Sequence, residues 1–130
     1  MYATTYAKAK DVADAVSQLK GADEGKLLAG GQTLIPTLKQ RLASSDCLID
    51  LSDADLSGIS DEGSSIRIGA MSRHVEVETS ELVKKAIPAL AALAGGIGDR
   101  QVRNCGTIGG SVANNDPSAC YPSAVMALGA

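Results

Sequence analysis

The sequence predicts an α+β protein with an α/β first lobe and an incomplete second α+β lobe. Three patterns support this prediction. Between residues 26 and 51, an apolar run, a glycine turn, a helical repeat of leucines and a second apolar run follow one another. Alternating Ile66, Ile68 and Ala70 then indicate a new strand. Beyond residue 80, two helical patterns flank a glycine-rich stretch.

The first lobe, residues 1–56, is predicted to hold a small parallel sheet with helices. Asp11 caps a helix that ends at Gly21, because the apolar positions between them share one face. Strands are predicted at 26–29 and 47–51. The helix between them has leucines at four-residue intervals: Leu34, Leu38 and Leu42. A strand, a helix and a strand in this order imply a parallel pair with a right-handed crossover.

The second lobe, residues 57–130, begins with a turn at 61–63 and the alternating strand. Ser80 caps a helix that ends at Gly95-Gly96, with Pro88 near its start or at a kink. Three apolar residues are expected to share a face of this helix: Ala86, Leu90 and Leu93.

The remainder of the second lobe is less regular. The stretch from Gly98 to Asn115 lacks periodicity and is rich in glycine, which is typical of a loop or a ligand cradle. Helical spacing resumes from Tyr121 to Leu128. Three apolar residues of this last helix are predicted to be exposed and covered by a second chain: Val125, Met126 and Leu128. Domain swapping or complementation by another polypeptide would cover the same surface, and a homo-oligomer is one of these expected arrangements.

Composition excludes several classes of protein. A net charge of -3 argues against a nucleic-acid-binding protein, which needs cations to displace counterions. No apolar run approaches the roughly 18 residues of a membrane span, and no signal peptide is recognisable, so a cytoplasmic protein is expected. Three cysteines without CxxC spacing predict reduced thiols and no metal site. A single histidine leaves no nucleophile-histidine-acid set, so no catalytic residue is predicted.

The first candidate binding segment runs from Ala29 to Leu34 and includes Gly30, Gly31, Gln32 and Thr33. Paired glycines allow successive backbone N–H groups to converge beside the positive end of a helix, where a phosphate can bind without lysine. The same residues also fit a tight turn in which glycine supplies a positive φ. The segment matches neither a Walker loop nor GxGxxG, which disfavours nucleoside triphosphate chemistry.

The second candidate binding segment, residues 105–117, interleaves glycine with hydroxyl and amide side chains. Its candidate residues are Thr107, Gly109, Gly110, Ser111 and Asn115. A dinucleotide carries a doubly charged linker, and oriented backbone amides can neutralise that charge in a chain with few cations nearby. Two such segments in a short chain favour a ligand that contains a diphosphate.

The two segments together resemble the FAD-binding medium subunit of carbon monoxide dehydrogenase-type molybdenum hydroxylases, and more distantly the flavin domain of xanthine dehydrogenase. The motifs are AGGQTLIP at 29–36, continuing as TLKQRL to 42, and TIGGSVANNDPSACYP at 107–122. Residues 68–70 and 98–103 also fit, so the resemblance spans nearly the whole chain. It implies the FAD-binding fold of the carbon monoxide dehydrogenase flavoprotein type.

The resemblance also implies a function. Members of the family are oxidoreductase subunits whose FAD receives electrons from a [2Fe-2S] small subunit and passes them to an external acceptor, while a molybdenum-binding large subunit oxidises the substrate. In the family both glycine segments hold the diphosphate. That role transfers to Ala29, Gly30, Gly31, Gln32, Thr33, Leu34, Thr107, Gly109 and Gly110, with Ser111 and Asn115 as neighbours.

This sequence departs from the family in two respects. Cys120 stands where the pattern Asp-Pro-x-x-Asp-x-Pro has its second aspartate, and the lost contact is expected to weaken cofactor binding by about 1 to 3 kcal/mol. Family members also continue well beyond this length, so the chain is expected to be truncated and to bind FAD weakly by itself. The alternative hypothesis is a non-catalytic assembly or interaction fragment that no longer binds FAD.

Several polar residues are interpreted as structural. His74 is predicted to be a surface or capping group. One of the arginines Arg100 and Arg103 is predicted to pair with Asp99, although an arginine here could also approach phosphate. Asp116 is expected to cap the last helix in front of Pro117. Three glutamates are expected to form a solvated stripe: Glu76, Glu78 and Glu81.

Overall fold

The computed structural model describes residues 1–130, which form two compact units, Met1–Leu56 and Ser57–Ala130. Helices and small sheets occur in both units, so the predicted α+β class is confirmed. None of the helices combines the length and the apolar character needed to cross a membrane.

The first unit contains a three-stranded parallel sheet in the order β1-β3-β2. Its elements are β1 (Thr5–Lys8), α1 (Val12–Gly21), β2 (Lys26–Leu28), α2 (Leu34–Lys39) and β3 (Cys47–Asp50). The predicted parallel pair, β2 and β3, is confirmed. The strand β1 was not predicted, because this edge strand is short and largely exposed and therefore has little apolar alternation.

In the first unit, Asp11 marks the start of α1 and Arg41 marks the end of α2. Asp11 caps α1 as predicted, since its Oδ1 accepts a hydrogen bond from Asp14 N at 2.7 Å. The core under α1 consists of Ala9, Ala15 and Ile49. The predicted extension of the second helix to Leu42 is wrong, because Arg41 adopts a left-handed conformation (φ 58°) that ends α2 and leaves Leu42 74% exposed.

The second unit begins with an antiparallel hairpin, β4 (Ile59–Asp61) and β5 (Ile66–Ile68), around the predicted turn. Six helices follow: α3 (His74–Thr79), α4 (Glu81–Ala86), α5 (Pro88–Gly95), α6 (Arg100–Cys105), α7 (Ile108–Asn114) and α8 (Cys120–Leu128). Its core comprises Val77, Val83, Leu90, Ala91, Ala94 and Tyr121. These residues bring α3, α4, α5 and α8 together.

The helix predicted after Ser80 is two helices. Ser80 caps α4 as expected, but α4 ends at Ala86 and Pro88 is the first residue of α5. Proline disfavours a helical conformation in the preceding residue, and Ile87 accordingly has φ -138° and ψ 67°. As a result Ala86 is exposed and does not share the buried face of Leu90.

The glycine-rich stretch predicted as a loop or a ligand cradle is mostly helical. It contains α6, capped by Asp99, and α7, capped by Thr107. These helices have 6 and 7 residues, too few to show a periodic apolar face in the sequence. The loop prediction is therefore wrong.

The last helix starts later than its expected cap. Asp116 Oδ1 accepts a hydrogen bond from Ser118 N at 2.8 Å and forms a turn, while α8 begins at Cys120. In α8, Met126 and Leu128 are 81% and 49% exposed, whereas Val125 is half-buried. Self-association through this surface stays a prediction.

Candidate functional site

The first glycine segment, Ala29 to Leu34, connects the end of β2 to the first residue of α2. Gly31 has φ 70°, and a Cβ added there would lie 3.0 Å from Ile35 Cγ1 and 3.2 Å from Leu28 Cδ1. Both the backbone conformation and the close packing therefore favour glycine at this position. Ile35 N donates to Gly31 O at 3.0 Å, so the turn leads directly into the helix.

The backbone donors of this segment are free. The N–H groups of Gly30, Gly31, Gln32 and Thr33 donate no hydrogen bond within the chain. Gln32 folds back and its Nε2 donates to Gly30 O at 3.0 Å, which leaves its side chain partly engaged. Consecutive unpaired N–H groups in front of a helix are a suitable donor set for an anion.

The second glycine segment has a different arrangement, because its backbone donors are already bonded within the unit. Ile108 N donates to Ser72 O at 3.0 Å, and Gly109 N donates to Ala70 O at 2.8 Å. Gly110 N donates to Thr107 Oγ1 at 3.1 Å. The interpretation of this segment as a nest of free backbone amides is therefore wrong. Contact of its residues with a cofactor through other atoms stays a prediction.

Gly109 allows α7 to approach the segment before α3 closely. A Cβ added to Gly109 would lie 2.6 Å from both the Cβ and the carbonyl oxygen of Ala70. At the other end of α7, Asn115 terminates the helix in a left-handed conformation with φ 49°. Since a seven-residue helix is roughly 10 Å long, Thr107 and Asn115 lie about that far apart, at opposite ends of α7.

Ser72 organises this region, although no feature of the sequence distinguishes it. Its side chain is fully buried, and its Oγ both accepts from Gly58 N at 3.1 Å and donates to Gly58 O at 3.2 Å. Its carbonyl oxygen holds the first residue of α7. The short segment from Gly69 to Ser72 therefore ties the hairpin to α7.

The prediction that His74 is a surface or capping group is wrong. The side chain is 5% exposed, and Arg73 is the residue before α3. Its ring centroid lies 5.3 Å from that of Tyr121, and its Nδ1 has no hydrogen-bond partner. Burial holds the pKa of His74 below its usual value, so the imidazole is neutral near neutral pH.

The predicted ion pair between Asp99 and one of the arginines Arg100 and Arg103 is also wrong. Asp99 Oδ1 caps α6 by accepting from Val102 N at 2.8 Å. Arg103 Nε instead lies 3.2 Å from Glu78 Oε2, and its Nη1 donates to two carbonyl oxygens at 97 and 98. Glu78 is thus paired and not part of a solvated stripe, and Arg103 is engaged within its own unit.

Comparison with known proteins identifies the family. Residues 2–130 match the family described as the FAD binding domain in molybdopterin dehydrogenase. The chain belongs to this family. The resemblance inferred from the two glycine motifs and the choice of FAD as the cofactor of the family are therefore confirmed.

Relatives of this FAD-binding domain include medium chains of dehydrogenases. The chain is 37% identical over 127 residues to the glyceraldehyde dehydrogenase medium chain of Sulfolobus acidocaldarius, covering 97% of this chain and 45% of that one. It is 41% identical over 127 residues to the carbon monoxide dehydrogenase medium chain of Afipia carboxidovorans, covering 96% and 44%. The chain spans less than half the length of these relatives.

The solved structure of carbon monoxide dehydrogenase from Hydrogenophaga pseudoflava, which lacks the Mo-pyranopterin moiety of its cofactor, has the same fold. It matches this FAD-binding domain with a TM-score of 0.95 at 41% identity, covering 97% of this chain and 45% of that chain. The predicted flavoprotein fold is thus confirmed.

The residues of this FAD-binding domain fit part of its cofactor. A diphosphate needs several hydrogen-bond donors, and the N–H groups of residues 30–33 in the first unit make no hydrogen bond within the chain. The side chain of Cys120, the departure from the family pattern, is exposed at the start of α8 in the second unit. A thiol there is a weak hydrogen-bonding group, so it does not replace a carboxylate acceptor.

Proposed function

We propose that this chain forms part of the FAD-binding subunit of a molybdenum hydroxylase and holds the cofactor's diphosphate through the backbone of residues 30–33. The unpaired donors of that segment carry the proposal, because they lie in front of a helix and match the charge of the diphosphate. Membership of an FAD-binding family supports the choice of ligand.

The residues of the two glycine segments have different roles in this proposal. Gly31 keeps the chain in the conformation that exposes the N–H groups, and Gln32 and Thr33 continue the row of donors. In the second segment, Thr107 and Gly109 fix α7 in place, and Ser111 offers a hydroxyl from its second turn. We propose that the second segment, like the first, takes part in binding FAD.

The place of this subunit in a reaction follows from the redox chemistry that a bound flavin supplies. We propose that electrons reach FAD from a [2Fe-2S] small subunit and leave to an external acceptor, while a molybdenum-binding large subunit oxidises the substrate. Relatives named as medium chains of dehydrogenases support a multi-subunit setting. Anaerobic mixing of a reduced [2Fe-2S] partner with the FAD-loaded chain should bleach the flavin absorbance, and an unchanged flavin spectrum would contradict this order.

Binding of FAD by the full chain is the first test. After incubation with excess FAD and desalting, the protein should retain a flavin spectrum and melt at a higher temperature than the protein without FAD. If neither effect is seen, the chain does not bind FAD, and the alternative of a non-catalytic assembly fragment is the better description.

Gly31→Ala tests the binding segment itself. The substitution forces a side chain into a left-handed backbone and against Ile35 and Leu28, so the row of N–H donors is expected to move. We expect FAD affinity to fall at least tenfold, measured by quenching of flavin fluorescence. Gly63→Ala is the matched control, since Gly63 also has a positive φ (83°) but has nothing within 4 Å. Equal losses of affinity in both variants would contradict the assignment.

A further inference from the structure

His74 packs against the residue that precedes the second glycine segment. A Cβ added to Gly106 would lie 2.6 Å from His74 Nε2, so the imidazole occupies the space that any other residue at 106 would need. The backbone makes the same contact, because His74 N donates to Gly106 O at 2.9 Å. Together with the bridge between Arg73 and Thr107, this contact sets where α7 begins.

No acidic side chain forms an ion pair with the imidazole of His74. Nδ1 of His74 is buried without a partner, and so is the hydroxyl of Tyr121, whose ring is tilted by 46° against the imidazole. Burial raises the pKa of Tyr121, so the phenol does not become a counterion. A protonated His74 would therefore be a buried cation with no compensating group, which is a costly state.

The charged residues of the elements packed against α3 do not relieve this cost. On α3 itself, Glu76 pairs with Arg73, and Glu78 pairs with Arg103 of α6. The helix α5 has no ionisable side chain. The other ionisable residues on these packed elements are Glu81, Lys84 and Lys85 of α4, Arg100 and Cys105 of α6, and Cys120 and Tyr121 of α8. Burial alone accounts for the lowered pKa of His74.

We infer that His74 is a positioning residue that makes FAD binding depend on pH. The neutral imidazole holds Gly106 and Thr107 in the position that the second glycine segment needs. A protonated imidazole leaves its buried position, the contact with Gly106 is lost, and the start of α7 is released. This inference rests on the proposed FAD-binding function.

The chain has one histidine, which makes the experiment specific. Imidazole nitrogen resonances of the ¹⁵N-labelled chain report His74 alone, with and without saturating FAD. The FAD dissociation constant is measured in parallel between about pH 5 and pH 7.5, where few other groups titrate. It should be constant at the upper end and rise by up to about tenfold per pH unit once the imidazole of the free protein is protonated. Because linkage is reciprocal, saturating FAD should lower the pKa of His74.

Two variants serve as controls. His74→Gln cannot titrate, so it should bind FAD near neutral pH with an affinity that no longer changes with pH, and His74→Met replaces it if the glutamine variant does not fold. A flat pH profile in the unmodified chain, with FAD bound throughout, overturns the inference and leaves the proposed function intact.

Two further outcomes would also be decisive. If acid lowers the melting temperature equally with and without FAD, and FAD leaves the pKa of His74 unchanged, the residue is only structural. Absence of FAD binding even near neutral pH overturns the proposed function and this inference with it.

Discussion

Gly109 shows how a single hydrogen atom in place of a side chain determines local packing. A Cβ at this position would lie 2.6 Å from the Cβ and the carbonyl oxygen of Ala70, closer than nonbonded atoms can approach. The motif in the sequence predicted a glycine that contacts a phosphate. The structure adds a second reason for it, because α7 must approach the chain before α3 closely enough for Gly109 N to donate to Ala70 O.

Gly109→Ala should therefore destabilise the protein by roughly 1 to 3 kcal/mol, because backbone must move to admit the methyl group. Chemical denaturation of the chain without FAD measures this loss. Gly21→Ala is the control, since nothing lies within 4 Å of an added Cβ in that helical position and alanine should be neutral or stabilising by up to about 1 kcal/mol. Similar unfolding free energies for the two variants would contradict the packing argument.

For single residues, the sequence did not predict which polar side chains are buried or paired. His74 and Arg103 were interpreted from their sequence neighbours, yet their partners, Tyr121 and Glu78, lie on other elements. A charged or polar residue looks the same in a sequence whether it is solvated or paired. Only the packing of α3 against α6 and α8 decides between these states.

Among the helices, the sequence predicted the N-terminal caps of α1 and α4 correctly. Asp11 and Ser80 were recognised as caps, and each accepts a hydrogen bond from a backbone N–H three residues ahead. That signal is local and needs no tertiary contact. By contrast, α6 and α7 were missed, since helices this short depend on neighbouring segments for most of their stability.

Asp11→Ala tests the strength of a local cap. Removing the acceptor for Asp14 N should lower the free energy of unfolding by about 1 kcal/mol and shift the denaturation midpoint without changing its slope. Asp11→Asn retains a side-chain oxygen and should restore most of the stability. A loss of the same size in the asparagine variant would mean that the charge of Asp11, and not its hydrogen bond, stabilises α1.

At the scale of the whole molecule, the net charge of the chain and the charge of FAD are both negative. The chain carries a net charge of -3, and no lysine or arginine lies between Leu27 and Leu38 around the first glycine segment. If backbone N–H groups hold the FAD diphosphate, no ion pair between protein and ligand exists for salt to weaken. Salt then screens only the weak repulsion between the negatively charged chain and the negatively charged FAD.

The dissociation constant of FAD should then stay level or fall slightly as sodium chloride is raised to roughly 0.15 M, where the Debye length is about 8 Å. Fluorescence titrations at several salt concentrations measure this dependence. A dissociation constant that increases steeply with salt would indicate cationic side chains on the diphosphate and contradict the proposed role of residues 30–33.

The sequence by itself determined the family, the α+β class, the parallel strand pair and the caps of α1 and α4. These features depend on contiguous motifs, glycine conformations and hydrogen bonds between near neighbours, all of which are written in short stretches of chain. Only the tertiary structure decided that the donors of Gly30 to Thr33 are free, that those of α7 are already bonded, and that His74 is buried. Those properties depend on which distant residues supply acceptors and exclude water, and no local pattern of residues records such partners.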